Sequence, residues 1–239
     1  MIAPIESSPT RNAAPSREVP DAKRLRAFLA APERAAVFQA LHAALPGVAL
    51  WQTLETWALF VGSWARCFYV SPLWLPVALL VIGSRQRALG NKLHDASHGN
   101  TFATTRANQV WGALLFALPL FEDFELYRVQ HMKHHAYLGQ PENDPDYLEV
   151  PASCRGGGPG TTSRVFLHFG LQPGLGRDSV VGTLHRQTWR QRLNALAWWA
   201  GVLGLLGLLA GPTAAASFFG LWMLTRATSY HLIKIFAEV

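Results

Sequence analysis

The chain has 239 residues, long enough for one domain with a sizeable core. Half of its residues are hydrophobic and only 15% are charged, which favours a membrane protein over a soluble domain. A formal net charge of +6 raises nucleic acid as a partner, but the basic residues lie next to apolar segments, so we expect contact with anionic lipid and exclude nucleic acid.

Residues 1–46 are predicted to form a cytoplasmic N-terminal region. Residues 1–20 are rich in Pro, Ser and Ala without periodicity, which indicates a disordered tail, and they lack the features of a cleaved signal peptide. Residues 21–44 combine apolar side chains at helical spacing with basic side chains on the other faces, which predicts an amphipathic helix on the membrane surface. A solvated helix packed on the domain fits the same pattern, and His42 is interpreted as a surface residue.

Residues 47–239 form the predicted membrane domain, which is all-α with about four transmembrane helices in two hairpins. Residues 107–121 are apolar over only 15 positions, short of the roughly 20 that span a bilayer, so they predict a short interfacial helix. A helix from Pro72 to His98 would place its last residues just beyond the membrane. The four candidate spans are about 48–69, 72–98, 193–210 and 214–236.

The basic residues predict the side of the membrane on which each connection lies. The short connections near 70–72 and 211–213 contain no Lys or Arg, whereas the first 47 residues contain six and residues 85–192 contain twelve. By the positive-inside rule, both hairpins enter from the cytoplasm and return to it. We therefore expect a multi-pass integral membrane protein, in the inner or plasma membrane if bacterial, with the histidine-rich region on the cytoplasmic side.

Two clusters, His94-Asp-Ala-Ser-His98 and His131-Met-Lys-His134-His135, hold five of the nine histidines. Residues three or four apart share one face of a helix, so each cluster presents its imidazoles together. Imidazole is a common ligand for zinc, copper, iron and nickel, and the two clusters therefore predict a metal site. His168 and His185 lack such spacing and are interpreted as surface residues, and His231 as a buried polar or interfacial residue. The candidate ligands are His94, His98, His131, His134 and His135.

These clusters, with Gly99, Tyr127-Arg128 and Asn143-Asp144-Pro145-Asp146, resemble the membrane fatty acid desaturase/hydroxylase family from about residue 50 to the C-terminus. The resemblance implies a cytoplasmic di-iron site held by three histidine boxes, with all five candidate histidines as iron ligands. It also implies lipid metabolism, in which an acyl-lipid substrate is oxidised by O₂ with electrons from a ferredoxin or cytochrome b5-like donor. Asp95, Asp144 and Asp146 are candidates for orienting the imidazoles, although Asp146 is better explained as a turn residue.

In the family a third histidine box normally follows the last hairpin, and no such motif precedes Val239. We therefore expect a C-terminally incomplete chain whose five ligands hold one iron well or two irons poorly. The main prediction is a membrane fatty acid desaturase, an oxidoreductase whose activity is left open by the missing box. The alternatives are an inactive, truncated desaturase-like protein and a membrane hydroxylase of the same family. A zinc hydrolase is disfavoured because Asp95 stands where HExxH requires glutamate.

Overall fold

A computed structural model describes residues 28, 32, 46–147, 161–170 and 180–238 of the chain. The predicted disordered tail lies outside the described residues, and so does the predicted amphipathic helix except for two helical positions. The chain divides into two compact units, residues 1–43 and 44–239, and every element named below belongs to the second unit.

The described part of this unit is built of helices joined by turns and contains no strand, so the predicted all-α class is confirmed. Three of the helices are extended or preceded by shorter segments of different pitch. In chain order the helices are α1 (Pro46–Ala65, continued by a π-helical segment Arg66–Val70), α2 (Leu75–Ser97, preceded by a 3-10 turn Pro72–Trp74), α3 (Thr105–Trp111, continued by a π-helical segment Gly112–Ala117 and a 3-10 turn Leu118–Leu120), α4 (Phe124–Tyr137), α5 (Thr161–Gly170), α6 (Val181–His185), α7 (Trp189–Ala210), α8 (Pro212–Ala227) and α9 (Ser229–Glu238).

Helix α7 is the one described helix that is long enough and apolar enough to cross a membrane, judged by length and composition. Its leucines near the C-terminal end face outward, since Leu205, Leu208 and Leu209 are 60%, 88% and 77% exposed. A soluble protein buries a helix this apolar within its core. The exposed leucines therefore favour contact with lipid.

The last predicted span, residues 214–236, is divided into α8 and α9 at Thr228, although the sequence has no proline or glycine there. The Thr228 hydroxyl donates to the carbonyl of Leu224 (2.7 Å). Threonine hydroxyls that bond to the carbonyl four residues earlier tend to bend a helix. Beyond the break, Ser229 Oγ donates to the carbonyl of Leu79 (2.6 Å), which fastens the start of α9 to α2.

Helix α2 is the central element, because it contacts α1, α4, α8, α9 and the extension of α3. Its buried face carries Ile82, Gln86, Leu89 and Leu93 at the three- and four-residue spacing of a helix. The fully buried Gln86 donates its amide to the carbonyl of Trp222 on α8 (3.0 Å). The side of the bundle formed by α1 and α8 is fixed by aromatic packing, in which Trp57 and Trp222 stack with ring centroids 5.5 Å apart.

Gly83 marks the place where α2 and α9 approach most closely, and its replacement by alanine is expected to destabilise the protein. The added Cβ would lie 2.6 Å from Ser229 Oγ and 3.0 Å from the backbone nitrogen of Tyr230. Overpacking of this kind costs about 1–3 kcal/mol. Gly90 on the same helix has nothing within 4 Å of an added Cβ, so Gly90→Ala should be neutral or stabilising by about 0.5–1 kcal/mol. Thermal unfolding in detergent compares the two variants, and equal midpoints would contradict the close contact.

Candidate metal centre

The first histidine cluster lies at the C-terminal end of α2. His98 follows the last helical residue, but its backbone N–H still donates to the carbonyl of His94 (3.2 Å), so the two residues remain one helical turn apart. Gly99 has φ +78°, and its N–H donates to the carbonyl of Ala96 (3.0 Å), which ends the helix directly after the cluster. The His94 and His98 ring centroids are 4.8 Å apart.

The second cluster lies on α4, which begins at a capping residue, Asp123. Its carboxylate accepts from the backbone N–H of Leu126 (2.9 Å). Fourteen residues of helix follow, and they place His131 and His135 on one face with their Nε2 atoms 3.0 Å apart. Contact between α2 and α4 brings this face to the first cluster.

Three ring nitrogens from the two helices converge on one point. The Nε2 atom of His98 lies 3.0 Å from that of His131 and 3.2 Å from that of His135. Each neutral imidazole nitrogen is either a donor or an acceptor, so a set of three in mutual contact always contains a pair of like groups. A cation shared by the three lone pairs removes this conflict.

The spacing of the nitrogens also suits such a cation. Imidazole nitrogens bind zinc at about 2.0–2.1 Å, so two of them around one ion lie about 2.9 Å apart at right angles and about 3.3 Å apart at the tetrahedral angle. His94 is the fourth member of the group, since one ligand atom from each of the four histidines lies within 4.8 Å of the others. The donor set therefore fits a first-row transition metal.

His134, the fifth predicted ligand, is adjacent to this group but directs one ring nitrogen elsewhere. Its Nδ1 lies 2.7 Å from Oδ1 of Asp144, whose side chain is 2% exposed. The same carboxylate accepts from the backbone N–H groups of Gly139 (3.0 Å) and Asp146 (2.9 Å). Burial acts to raise the pKa of Asp144, but these hydrogen bonds, with the one from His134 first, hold it below its usual range.

An ionised carboxylate accepts and does not donate, so the proton of neutral His134 is on Nδ1 and the lone pair is on Nε2. Asp95 makes a looser contact of the same kind, with Oδ1 3.2 Å from Nδ1 of His94. Two of the three acids proposed to orient imidazoles, Asp95 and Asp144, thus each contact an imidazole ring. The side chain of Asp146 is exposed, as a turn residue would be, and only its backbone N–H reaches Asp144.

The surroundings of two of these rings, His98 and His131, favour their neutral form. Burial, and after it the neighbouring histidines, lower the pKa of His131 to about 4. Burial, with His94 and His135, also lowers the pKa of His98, against the opposing influence of Asp95. Neutral imidazole is the form that binds metal, so the surroundings keep these two candidate ligands in the binding form at physiological pH.

Comparison with known proteins agrees with this geometry. The family model described as fatty acid desaturase matches residues 71–239. The chain belongs to the fatty acid desaturase family. It is 48% identical over 75 residues to dihydrorhizobitoxine desaturase of Bradyrhizobium elkanii, a match that covers 30% of this chain and 21% of that relative.

We call His94, His98, His131 and His135 the four-nitrogen group. Of the other histidines of this desaturase-family chain that were not predicted as ligands, His42 is outside the described residues, and the remaining three are not part of this group. His168 and His185 are exposed. His231 is buried, and its Nε2 lies 3.3 Å from the carbonyl of Phe169, so it is a buried polar residue that joins α9 to α5.

Two polar residues support the histidine group in ways that were not predicted from the sequence. Arg128 on α4 donates through Nε to the carbonyl of Ser97 at the end of α2 (3.3 Å) and so connects the two histidine-bearing helices directly. The buried Asn108 accepts from the N–H groups of Thr101 and Phe102 and organises the connection after His98. The asparagine at the start of a largely apolar segment was the available signal for the second.

Proposed function

We propose that this protein is a membrane desaturase that binds iron at the histidine group and introduces a double bond into an acyl chain. The observation that carries the proposal is the convergence of the Nε2 atoms of His98, His131 and His135 at 3.0–3.2 Å. Membership of the fatty acid desaturase family supports the reaction type. The printed name of the relative is that of a desaturase, which favours desaturation over hydroxylation.

In this reaction a CH₂–CH₂ unit loses two hydrogens to become CH=CH. O₂ is reduced to two waters by those hydrogens together with two electrons and two protons from a donor of the ferredoxin or cytochrome b5-like class. Iron, when bound, supplies redox chemistry with O₂ that no side chain provides.

The chain's own residues would bind the metal and orient the imidazole rings. His94, His98, His131 and His135 would hold the metal through ring-nitrogen lone pairs, and burial favours the neutral form of His98 and His131. Asp144 fixes the ring of His134 with its Nε2 lone pair available, as carboxylates do for metal-binding histidines. The Tyr127 ring stacks on that of His131 (centroids 5.6 Å apart) and covers one face of it from water.

The proposed setting is a bilayer crossed by four spans in two hairpins, with the histidines on the cytoplasmic side. The apolar surface of α7 supports one of these spans. Exposed apolar residues elsewhere, including Trp51 on α1 (68%) and Leu73 before α2 (87%), support lipid contact for the first hairpin. The basic connections between the hairpins support the cytoplasmic side.

A second candidate is a desaturase-family protein that binds one metal ion and lacks oxidative activity. The four ligand atoms within 4.8 Å of one another suit a single ion, whereas two-metal sites hold ions about 3.5–4 Å apart and need ligands for both. Iron stoichiometry separates the two candidates.

Metal removal tests the proposal. Protein purified in detergent should contain iron, lose it to a chelator and regain it with ferrous iron under argon. Membranes with reductant and O₂ should then form new double bonds in acyl lipids, detected by mass spectrometry, and dihydrorhizobitoxine supplied in parallel tests the substrate that the relative's name indicates. Two irons with new double bonds would exclude the inactive alternative, and zinc without iron would overturn the proposal.

A further inference from the structure

The turn that leads into α4 is bound by polar side chains far along the chain. Each of the three consecutive residues 121–123 receives a hydrogen bond from one of three residues spaced four apart, which we call the clamp residues: Thr183, Gln187 and Gln191. Thr183 Oγ1 donates to Glu122 Oε1 (3.3 Å), Gln187 Nε2 to the carbonyl of Phe121 (2.6 Å), and Gln191 Nε2 to Asp123 Oδ1 (2.9 Å).

The backbone of Phe121 shows that surrounding contacts hold this turn in an unfavourable conformation. It is the one described non-glycine residue with positive φ (61°), a conformation that bulky side chains rarely adopt and that persists only where the surroundings enforce it. Its carbonyl is bonded by the buried Gln187, and its ring stacks on Trp199 of α7 with centroids 5.6 Å apart. The direction in which the chain enters α4 is therefore set by the segment that leads into α7.

Gln191 connects the starts of two helices. Its Nε2 binds Asp123, the capping residue of α4, while its Oε1 accepts from the backbone N–H of Thr188 (2.8 Å) in the capping box of α7. Any movement of α4 relative to α7 must break or stretch this connection.

The metal centre depends on the position of α4. His131 and His135 lie on α4 and His94 and His98 at the end of α2, so nitrogen spacings of 3.0–3.2 Å require the two helices to be correctly placed. Ligand sets work when held within about 0.5 Å of the productive geometry. The contacts at the start of α4 are thus in a position to control that geometry.

We propose that Gln187 and Gln191 are positioning residues of the metal centre, which act through Phe121 and Asp123 to fix α4 and thereby bring the second histidine cluster to the first. This inference rests on the proposed metal binding and adds a part of the chain that carries no ligand.

The decisive comparison is Gln191→Glu with Thr188→Ala. Glutamate at 191 keeps an acceptor for the capping box of α7 but places a second carboxylate against Asp123. Alanine at 188 removes the hydroxyl half of the capping box and leaves the Gln191–Asp123 bond. Substitutions that contact no ligand but act on a coupled site typically change affinity about 2–30-fold, so we expect Gln191→Glu to bind ferrous iron about tenfold more weakly and Thr188→Ala to bind it as the unaltered protein does.

A rescue variant separates positioning from a general loss of structure. In Gln191→Glu combined with Asp123→Ser, the hydroxyl at 123 can accept from the Leu126 N–H and donate to the carboxylate introduced at 191, and serine remains a good helix cap. We expect the double variant to recover ferrous iron affinity to within about threefold of the unaltered protein. The visible absorption bands of bound cobalt(II) should change in Gln191→Glu and return in the double variant. Gln187→Met, which removes the bond to Phe121 at similar volume, should weaken binding as Gln191→Glu does.

All titrations use the full chain in detergent under argon, with helicity followed by circular dichroism. Unchanged affinity in Gln191→Glu and Gln187→Met would overturn this inference while leaving the proposed function intact, and so would equal losses in Thr188→Ala and Gln191→Glu. Absence of metal binding by the unaltered protein would overturn the proposed function itself.

Discussion

Replacing His131 with alanine should abolish tight metal binding and, with it, any desaturation. The Nε2 atom of His131 is 3.0 Å from that of His98 and 3.0 Å from that of His135, so it belongs to both the contact within α4 and the contact between helices. It is also the most buried member of the group, at 8% exposure. Removal of one of the four proposed ligands would leave an open position that water must fill, and we expect an affinity loss beyond the 10–100-fold seen when outer-shell partners are removed.

The matched control for this substitution is His185→Ala. His185 is an exposed histidine at the end of α6, away from the four-nitrogen group, so its loss should leave metal content unchanged. Metal content is measured by elemental analysis of both purified variants alongside unaltered protein. Retention of full iron content by the His131 variant would show that the group is not the metal site.

The paired imidazoles were predictable because they depend on local geometry alone. A helix brings residues four apart onto one face, and Gly99 supplies the left-handed residue that ends α2 directly after His98. Which four of the five candidate histidines converge was not predictable. His134 and His135 are neighbours in sequence, but Nε2 of His135 lies against His98 and His131, whereas Nδ1 of His134 lies against Asp144 in the turn that follows.

Contacts between distant segments could not be predicted from the sequence either. The clamp residues lie 61–68 positions after the turn that they bind, and polar residues in a polar stretch carry no sign of a buried partner. The break at Thr228 went unpredicted for a related reason, because a threonine bends a helix only when its hydroxyl turns to the backbone. Hydrophobic pattern fixes which segments are helical, whereas single hydrogen bonds fix where the helices end and meet.

Asp144 and Asp146 provide a second strong prediction, because they lie two residues apart in one turn and differ in what they contact. The Asp144 carboxylate receives three donors: Nδ1 of His134 and the backbone N–H groups of Gly139 and Asp146. Both oxygens are needed, since Gly139 binds Oδ2 and the other two bind Oδ1. An asparagine has only one accepting oxygen, so either of its two orientations points an NH₂ group at another donor.

We therefore expect Asp144→Asn to release the ring of His134 and to weaken iron binding at least about tenfold, in the range measured for partners that orient metal-binding histidines. Asp146→Asn should bind iron as the unaltered protein does, because the exposed Asp146 reaches Asp144 only through its backbone N–H, which the substitution retains. Anaerobic titration of ferrous iron into both variants measures the difference. Equal affinities would mean that His134 takes no part in the centre and that the bond to Asp144 only stabilises the turn, whereas loss in Asp144→Asn alone places His134 among the residues on which metal binding depends.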